Sequence, residues 1–399
     1  MTHPPDTKHD HEKLASFYRY QLLENVIPFW MSHGLDTKYG GIITSLDRAG
    51  NTLDTDKSVW FQGRAGWMFA TLYNTIEPSP EWLEAARSCT EFSRKYCHSP
   101  EGKMWFTVTQ AGAPLRMRRY VFSEAFASIS YAAFAKATGD PELVTSATKA
   151  FATFLHFSFT PGVMPPKYES TRPEKAIGPH MIGIATAQEL RVNLGDVQIS
   201  GKTCTEWIDW NISEIIRYFV KPEHEALMEV VGQDGTVLNH HAGRTLNPGH
   251  ALECAWFIMH EGSSRNNSAY IKLGLQILDW MWERGWDTEF GGLFYYRDLH
   301  NLPVQEYWHD MKFWWPHCEA IIATLLAWSL TGAPKYERLH SLAHDWSFKH
   351  FPDPIYGEWY GYLRRDGTIS QPAKGNMFKG PFHLPRMLWY CAGLLDRQN

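Results

Sequence analysis

The sequence predicts an all-α fold, an (α/α)6 barrel of six helical hairpins with short β-segments in the loops at the barrel mouth. Two observations carry this. Six apolar helices rich in small residues each open at a Gly, Pro or Ser signal, near Gly63, Ser123, Pro179, Pro248, Pro316 and Pro381. The polar residues at those starts, Arg64, Glu124, His180, His250, His317 and His383, are spaced by 60, 56, 70, 67 and 66 positions. Between them fall more polar, amphipathic helices, expected at 11–32, 80–97, 141–158, 202–220, 265–284 and 335–350. A helix that is apolar all round must be enclosed, so the apolar set forms an inner ring and the amphipathic set covers it. Antiparallel pairing then brings all the inner-helix starts to one end, where their polar residues converge. A linear solenoid has the same period but gives no reason for Arg, Glu and His to recur at equivalent starts.

The loops repeat as well. Leu35-Asp-Thr-Lys-Tyr-Gly-Gly-Ile42 returns as Trp286-Asp-Thr-Glu-Phe-Gly-Gly-Leu293, with a looser copy in Asp353-Pro-Ile-Tyr-Gly-Glu-Trp-Tyr360. Each follows an amphipathic helix and leads into a β-prone segment, and the glycines admit the positive φ of a tight turn. No linker rich in Gly, Ser or Pro divides the chain. Residues 11–399 are expected to form one barrel domain, after a disordered polar tail over residues 1–10.

Composition narrows the function. The 399 residues are 44% hydrophobic and 20% charged, as a chain with a large core should be. The 18 Trp, 18 Tyr and 22 Phe exceed what filling a core requires, and they suit a wet cavity that holds a partly polar ligand by flat apolar faces. A formal charge of −5 without a dense Lys/Arg run excludes nucleic acid as the main partner. No run of about 18 apolar residues is available to span a membrane. The polar N-terminus lacks the apolar stretch of a signal peptide, and the six cysteines show no C-x-x-C spacing. Reduced thiols and a cytoplasmic location are therefore expected.

The candidate chemistry lies at the inner-helix starts. His250 follows Pro248-Gly249 and precedes Glu253 by three positions, so the two share a helix face. His383 stands just before Pro385, at or before a helix cap. The partial positive charge of that helix end disfavours an imidazolium, which keeps such a base neutral. His317 and Glu319, two positions apart, cannot share a face; Glu319 is expected to point inward, with His317 in support. Arg64 offers either a charged fork for a developing oxyanion or an ion pair between helices. His180 and Glu124 are further substrate-binding candidates, and Trp60, Trp256 and Trp315 are stacking walls unless they are simply core. His250-x-x-Glu253 and His317-x-Glu319 lack an accompanying H-E-x-x-H signature, so no metal is expected. Gly195 to Gly201-Lys-Thr203 places five residues between the glycines where a phosphate loop needs four, so no nucleotide motif is read there.

Several ordered phrases carry a resemblance: Val59-Trp-Phe-Gln-Gly-Arg64, Phe122-Ser-Glu124, Asn247-Pro-Gly-His-Ala-Leu-Glu253 and Lys312-Phe-Trp-Trp-Pro-His-Cys-Glu319. Tyr356-Gly-Glu-Trp-Tyr-Gly-Tyr362 and Phe378-Lys-Gly-Pro-Phe-His-Leu-Pro-Arg386 extend it. Nearly end to end, the chain resembles the N-acylglucosamine 2-epimerase family, whose animal members are also described as renin-binding proteins. The resemblance implies a six-pair helical barrel, usually a homodimer, that interconverts N-acetylglucosamine and N-acetylmannosamine. It also implies ATP as an activator that is not consumed. It places the family's catalytic arginine on Arg64, its paired histidines on His250 and His383, and its catalytic glutamate on Glu319. His180 is similar to a histidine of the related cellobiose epimerases and sugar isomerases.

Inverting carbon 2 of an open-chain sugar needs a base on one face and an acid on the other, which suits two histidines from distant parts of the chain. Three other readings compete. One is epimerisation or aldose–ketose isomerisation of an unmodified sugar such as mannose or cellobiose. Another is a glycosidase drawing two carboxylates from Glu124, Glu253 and Glu319. The third is a non-catalytic protein-binding module.

Overall fold

The computed structural model describes residues 7–165, 167–168 and 170–397. Its inner helices are Val59–Thr75, Phe122–Thr138, Gly178–Leu194, Pro248–Ser264, Trp314–Thr331 and His383–Asp396. The outer series begins with Thr7–Tyr20, which runs on through a π turn at Gln21–Val26 into Ile27–His33. It continues with Pro80–Tyr96, Pro141–Phe159, Cys204–Tyr218, Ser268–Gly285 and Pro334–His350. The first helix begins at Thr7, inside the stretch 1–10 expected as a tail; no Gly or Pro lies between Pro5 and Leu14 to break it. The earlier part of that tail lies outside the described residues.

Burial follows the alternation. Every residue from Trp314 to Ala327 is buried in one inner helix, whereas the outer Pro80–Tyr96 helix buries a single face that includes Ala85, Cys89 and Phe92. Outer helices start where the sequence caps them. Asp140 accepts the Glu142 N–H, Thr203 and Glu206 form a reciprocal capping box, and Asn267 accepts from Ala269 and Tyr270. Inner helices pack in chain order, and the last meets the first. There Trp389 Nε1 donates to Thr75 Oγ1 at 2.9 Å, and Trp67 packs against Phe382. The ring is closed: the fold is an (α/α)6 barrel rather than an open solenoid.

Short antiparallel strands lie directly before the inner helices. Lys57–Ser58 pairs with Thr107–Val108, Glu174–Ala176 with Val230–Gly232, Thr245–Leu246 with Arg297–Asp298, and Lys312–Phe313 with Tyr362–Leu363. They form a loop layer around the mouth. The repeated turn phrases anchor it by one device. Asp36, Asp287 and Asp353 each accept N–H groups across their own turn. Each also pairs with a buried lysine: Lys57 at 2.8 Å, Lys312 at 3.0 Å and Lys374 at 3.0 Å. Lys57 and Lys312 stand two residues before an inner helix, so each of those turns clamps the start of the next hairpin. Gly292 turns at φ +71°, and a Cβ there would come to 2.9 Å from His317 Nε2 and from the Trp346 ring, so the phrase requires glycine at that point. All six cysteines are buried and free. Among the described residues, no helix is long and apolar enough to cross a membrane.

Candidate active site

The inner-helix starts surround a cavity of about 230 Å³. Six of the sequence-predicted residues line it: Trp60, Arg64, His250, Glu253, Trp315 and His383. Tyr295, Phe313, Trp314, Tyr362 and Phe378 complete the aromatic wall. Two local features bring His250 here. Asn247 caps its helix by accepting the His250 N–H at 3.0 Å. Gly249 lets the helix approach its neighbour, since a Cβ there would lie 2.8 Å from Pro316 and Trp315.

Each histidine is tied by the same nitrogen. His250 Nδ1 is 2.9 Å from Glu229 Oε1, and His383 Nδ1 is 2.7 Å from Glu319 Oε1. Among the described residues neither Nε2 has a hydrogen-bond partner, which leaves it for a ligand. The Trp315 ring packs against both imidazoles, with its centroid 4.9 Å from His250 and 5.7 Å from His383. Glu319 is fully buried. Its Oε2 accepts the Trp256 indole N–H at 2.7 Å, and its Oε1 also accepts Arg386 Nη2 at 2.6 Å. The same Nη2 donates to Glu253 Oε1 at 2.7 Å, so one guanidinium joins both glutamates. Glu253, Glu319 and His383 bring ligand-type atoms within 4.8 Å of one another, but the positive charge an ion would supply there already comes from Arg386. These two carboxylates also share a cation on one side of the cavity, rather than facing each other across a cleft as a glycosidase pair must.

The imidazoles sit in opposite electrostatic surroundings. Burial pushes the pKa of His383 well below its ordinary value, and the guanidinium groups of Arg386 and Arg64 push it further. Burial and these cations favour its neutral form. Burial would lower His250 too, but Glu229, followed by Glu253 and Glu319, outweighs it and raises the pKa. Arg64 forms no salt bridge among the described residues. Its guanidinium lies over Phe126 at 4.1 Å and Phe382 at 4.5 Å. Burial depresses its pKa, yet a guanidinium remains charged at neutral pH.

Five predicted residues do not line the cavity: Glu319 is buried behind His383, and four others are engaged elsewhere. His180 turns outward, where its Nδ1 meets Asn211 Oδ1 at 3.0 Å and its ring stacks on Phe159; burial lowers its pKa to about 4. Glu124 accepts the Met104 N–H at 2.7 Å, and burial pushes its pKa to about 7. His317 is a structural link: Nδ1 donates to the Phe313 carbonyl at 2.6 Å, and Nε2 accepts the Leu293 N–H at 2.9 Å. Trp256 acts on Glu319 from behind. Sequence reasoning missed Arg386 and Glu229. Arg386 was within reach, because it follows His383 by three positions on one helix and so shares its face. Glu229 lies in the loop layer, where no periodicity marks it.

A second cavity, about 410 Å³, opens between the far ends of the inner helices, with Trp67, Glu189, Trp389 and Tyr390 among its walls. It meets the first at Glu253 but contains neither of the two mouth histidines, so the chemistry belongs to the smaller cavity.

A closed (α/α)6 barrel with paired imidazoles, an arginine and a buried glutamate at one aromatic mouth has the groups that a proton-transferring carbohydrate epimerase or isomerase would need. Relatives narrow this further. Residues 40–379 match the family profile described as N-acylglucosamine 2-epimerase (GlcNAc 2-epimerase). The chain is 35% identical over 385 residues to the N-acylglucosamine 2-epimerase of Bos taurus, covering 94% of this chain and 89% of that one. It is also 35% identical to the N-acylglucosamine 2-epimerase of Homo sapiens, over 94% and 88% of the two chains. The structure of cellobiose 2-epimerase from Spirochaeta thermophila DSM 6192 superposes with a TM-score of 0.83 at 21% identity, over 99% of this chain and 100% of that one, and shows the shared barrel. The chain belongs to the N-acylglucosamine 2-epimerase family, and it is a carbohydrate 2-epimerase, an isomerase.

Proposed function

We propose that this protein interconverts N-acetyl-D-glucosamine and N-acetyl-D-mannosamine by moving a proton at carbon 2 of the open-chain sugar. The observation that carries the reading is the pair of imidazoles lining one cavity against Trp315, each held at Nδ1 by a carboxylate and each left with Nε2 for a ligand. Opening the ring exposes an aldehyde that acidifies the neighbouring C–H. One histidine takes that proton, and the electron pair moves through a carbon 1–carbon 2 double bond onto the aldehyde oxygen as an enolate. The other histidine then delivers a proton to the opposite face. A lone side chain would tend to return the proton to the face it came from.

Arg64, unpaired and lining the cavity, is placed to stabilise the developing oxyanion, a contribution of about 3–4 kcal/mol in such sites. Glu319 orients His383, and Trp60 and Trp315 offer flat faces to the sugar. The net change is an isomerisation, so the chemistry consumes no cofactor. Kinship with the animal epimerases supports the N-acetylated substrate over mannose or cellobiose. The family resemblance further implies a homodimer with ATP as an activator, and the six free cysteines fit a cytoplasmic location. Incubation with N-acetylmannosamine, mannose and cellobiose, followed by NMR, tests the substrate, and repeating it with and without ATP tests the activator. Turnover of mannose or cellobiose alone would replace this reading with the unmodified-sugar one.

A further inference from the structure

We propose that Glu229 is a second positioning carboxylate of the reaction: it holds His250 by Nδ1 and makes that imidazole the resting holder of the proton, so that His250 donates to carbon 2 while His383 removes a proton in one direction, the roles reversing in the other. The inference rests on the epimerase reading above. Glu229 belongs to no barrel helix. It sits between the short strands Ala226–Leu227 and Val230–Gly232, the second of which pairs with Glu174–Ala176 ahead of an inner helix. His250 is therefore gripped from the loop layer, whereas His383 is gripped from inside the barrel by Glu319. The contacts, 2.9 Å and 2.7 Å, use the same nitrogen of each ring.

The two pairs match in geometry and oppose each other in charge. Glu229 faces His250 from the loop, Glu253 from its own helix and Glu319 from the Trp314–Thr331 helix. Across the cavity are His383 and Arg64, with the Tyr295 hydroxyl on the loop side. Lys167 and Tyr296 also lie within the electrostatic reach of Glu229. His383 instead has Arg386 Nη2 at 3.4 Å from Nδ1 and Arg64 nearby. A single shared proton is thus favoured on His250 and expelled from His383. In a turnover that starts from this form, His383 takes the carbon 2 proton and His250 returns one to the other face. The cycle ends with the proton on His383, where it is held least well, and its passage back to His250 through solvent resets the site.

The test uses the full-length protein and the variants Glu229→Gln and Glu229→Asp, with kcat/KM measured against pH for both sugars. Substrate and product carry the same protons, so both directions share one profile, and its basic limb reports loss of the proton shared by the two histidines. In Glu229→Gln that limb should move to lower pH by about one unit, with kcat falling more than KM rises. Glu229→Asp keeps the charge and should keep the limb in place. A rate loss with an unmoved limb, or an equal displacement in both variants, overturns the assignment. Nitrogen-15 NMR of the unmodified protein, with His250 assigned through its loss in His250→Asn, provides a readout independent of variant folding. His250 should titrate at higher pH than His383, and the reverse order overturns the inference. If the wild-type protein turns over neither sugar, the epimerase reading fails instead, and the NMR order still decides the role of Glu229.

Discussion

Glu319 Oε1 and His383 Nδ1 lie 2.7 Å apart although 64 residues separate them in the chain. The packing of the last inner helix against the fifth brings them together, and that contact sets the ring orientation. An imidazole bonded to a carboxylate at Nδ1 presents Nε2 outward, so a contact deep in the barrel decides which nitrogen meets the ligand. Arg386 fixes the carboxylate in turn.

Removing that imidazole should stop proton transfer. His383→Ala is expected to lower kcat by about 10³-fold, within the range that general acid–base groups supply. The check is NMR in deuterated water. In the wild-type protein, product formed early should carry deuterium at carbon 2 while unreacted sugar stays unlabelled, because separate groups act on the two faces. Undiminished exchange in His383→Ala would remove His383 from the mechanism.

Arg386 offers a test of the charge network. Arg386→Met leaves Glu253 and Glu319 facing each other without their shared cation, and breaking a buried pair in this way costs about 3–5 kcal/mol. Urea unfolding should show that loss, and turnover should fall with it because Glu319 no longer holds His383 in place. Arg386→Lys should recover part of the stability but less of the activity, since an ammonium lacks the planar fork. Wild-type turnover in Arg386→Met would show that the network does not support the site.

The barrel is legible in the sequence because its two helix classes differ in composition along their whole length. The site is only partly legible. Arg64, Glu253 and Glu319 are each the sixth residue of their inner helix, so depth along the helix groups them. His180, Glu124 and His250 are each the third residue, yet only His250 faces the cavity. Rotation about the helix axis separates them, at about 100° per residue. An aligned polar residue at each start does not reveal that rotation. Asn211 on the facing outer helix draws His180 outward, and a backbone N–H at Met104 takes Glu124. Such partners are set by packing between distant segments, which single-helix periodicity cannot show.

The outward-facing pair therefore makes a negative prediction. His180→Gln and Glu124→Gln should leave kcat/KM at the wild-type level. His180→Gln removes the partner of a buried amide, so its melting temperature should drop, consistent with a loss of about 1–3 kcal/mol. Steady-state kinetics beside thermal unfolding separates the two effects. A large fall in kcat/KM for His180→Gln without destabilisation would return His180 to the substrate-binding set.

Acid should weaken the loop layer before the barrel core. Asp287 accepts Arg365 Nε at 2.8 Å and Lys312 Nζ at 3.0 Å, besides the N–H groups of its own turn. Burial would raise its pKa, but Arg365 and Lys312 outweigh it and hold the carboxyl well below the usual range. Burial is likewise outweighed at Asp36 by Lys57 and its turn N–H groups, and at Asp353 by Arg48 and Lys374, which shift both in the same direction. A carboxylate with a depressed folded pKa is protonated first in the unfolded chain. Its contribution is therefore fully present above the unfolded value, about 3.9, and is lost as pH falls below it. Urea unfolding from pH 7 downward should show stability falling steeply below about pH 4. Asp287→Asn should cost about 3–5 kcal/mol at neutral pH, because Lys312 is left buried without its counter-charge, and should flatten that acid slope. An acid slope as steep in Asp287→Asn as in the wild-type protein would show that this turn does not carry the pH dependence.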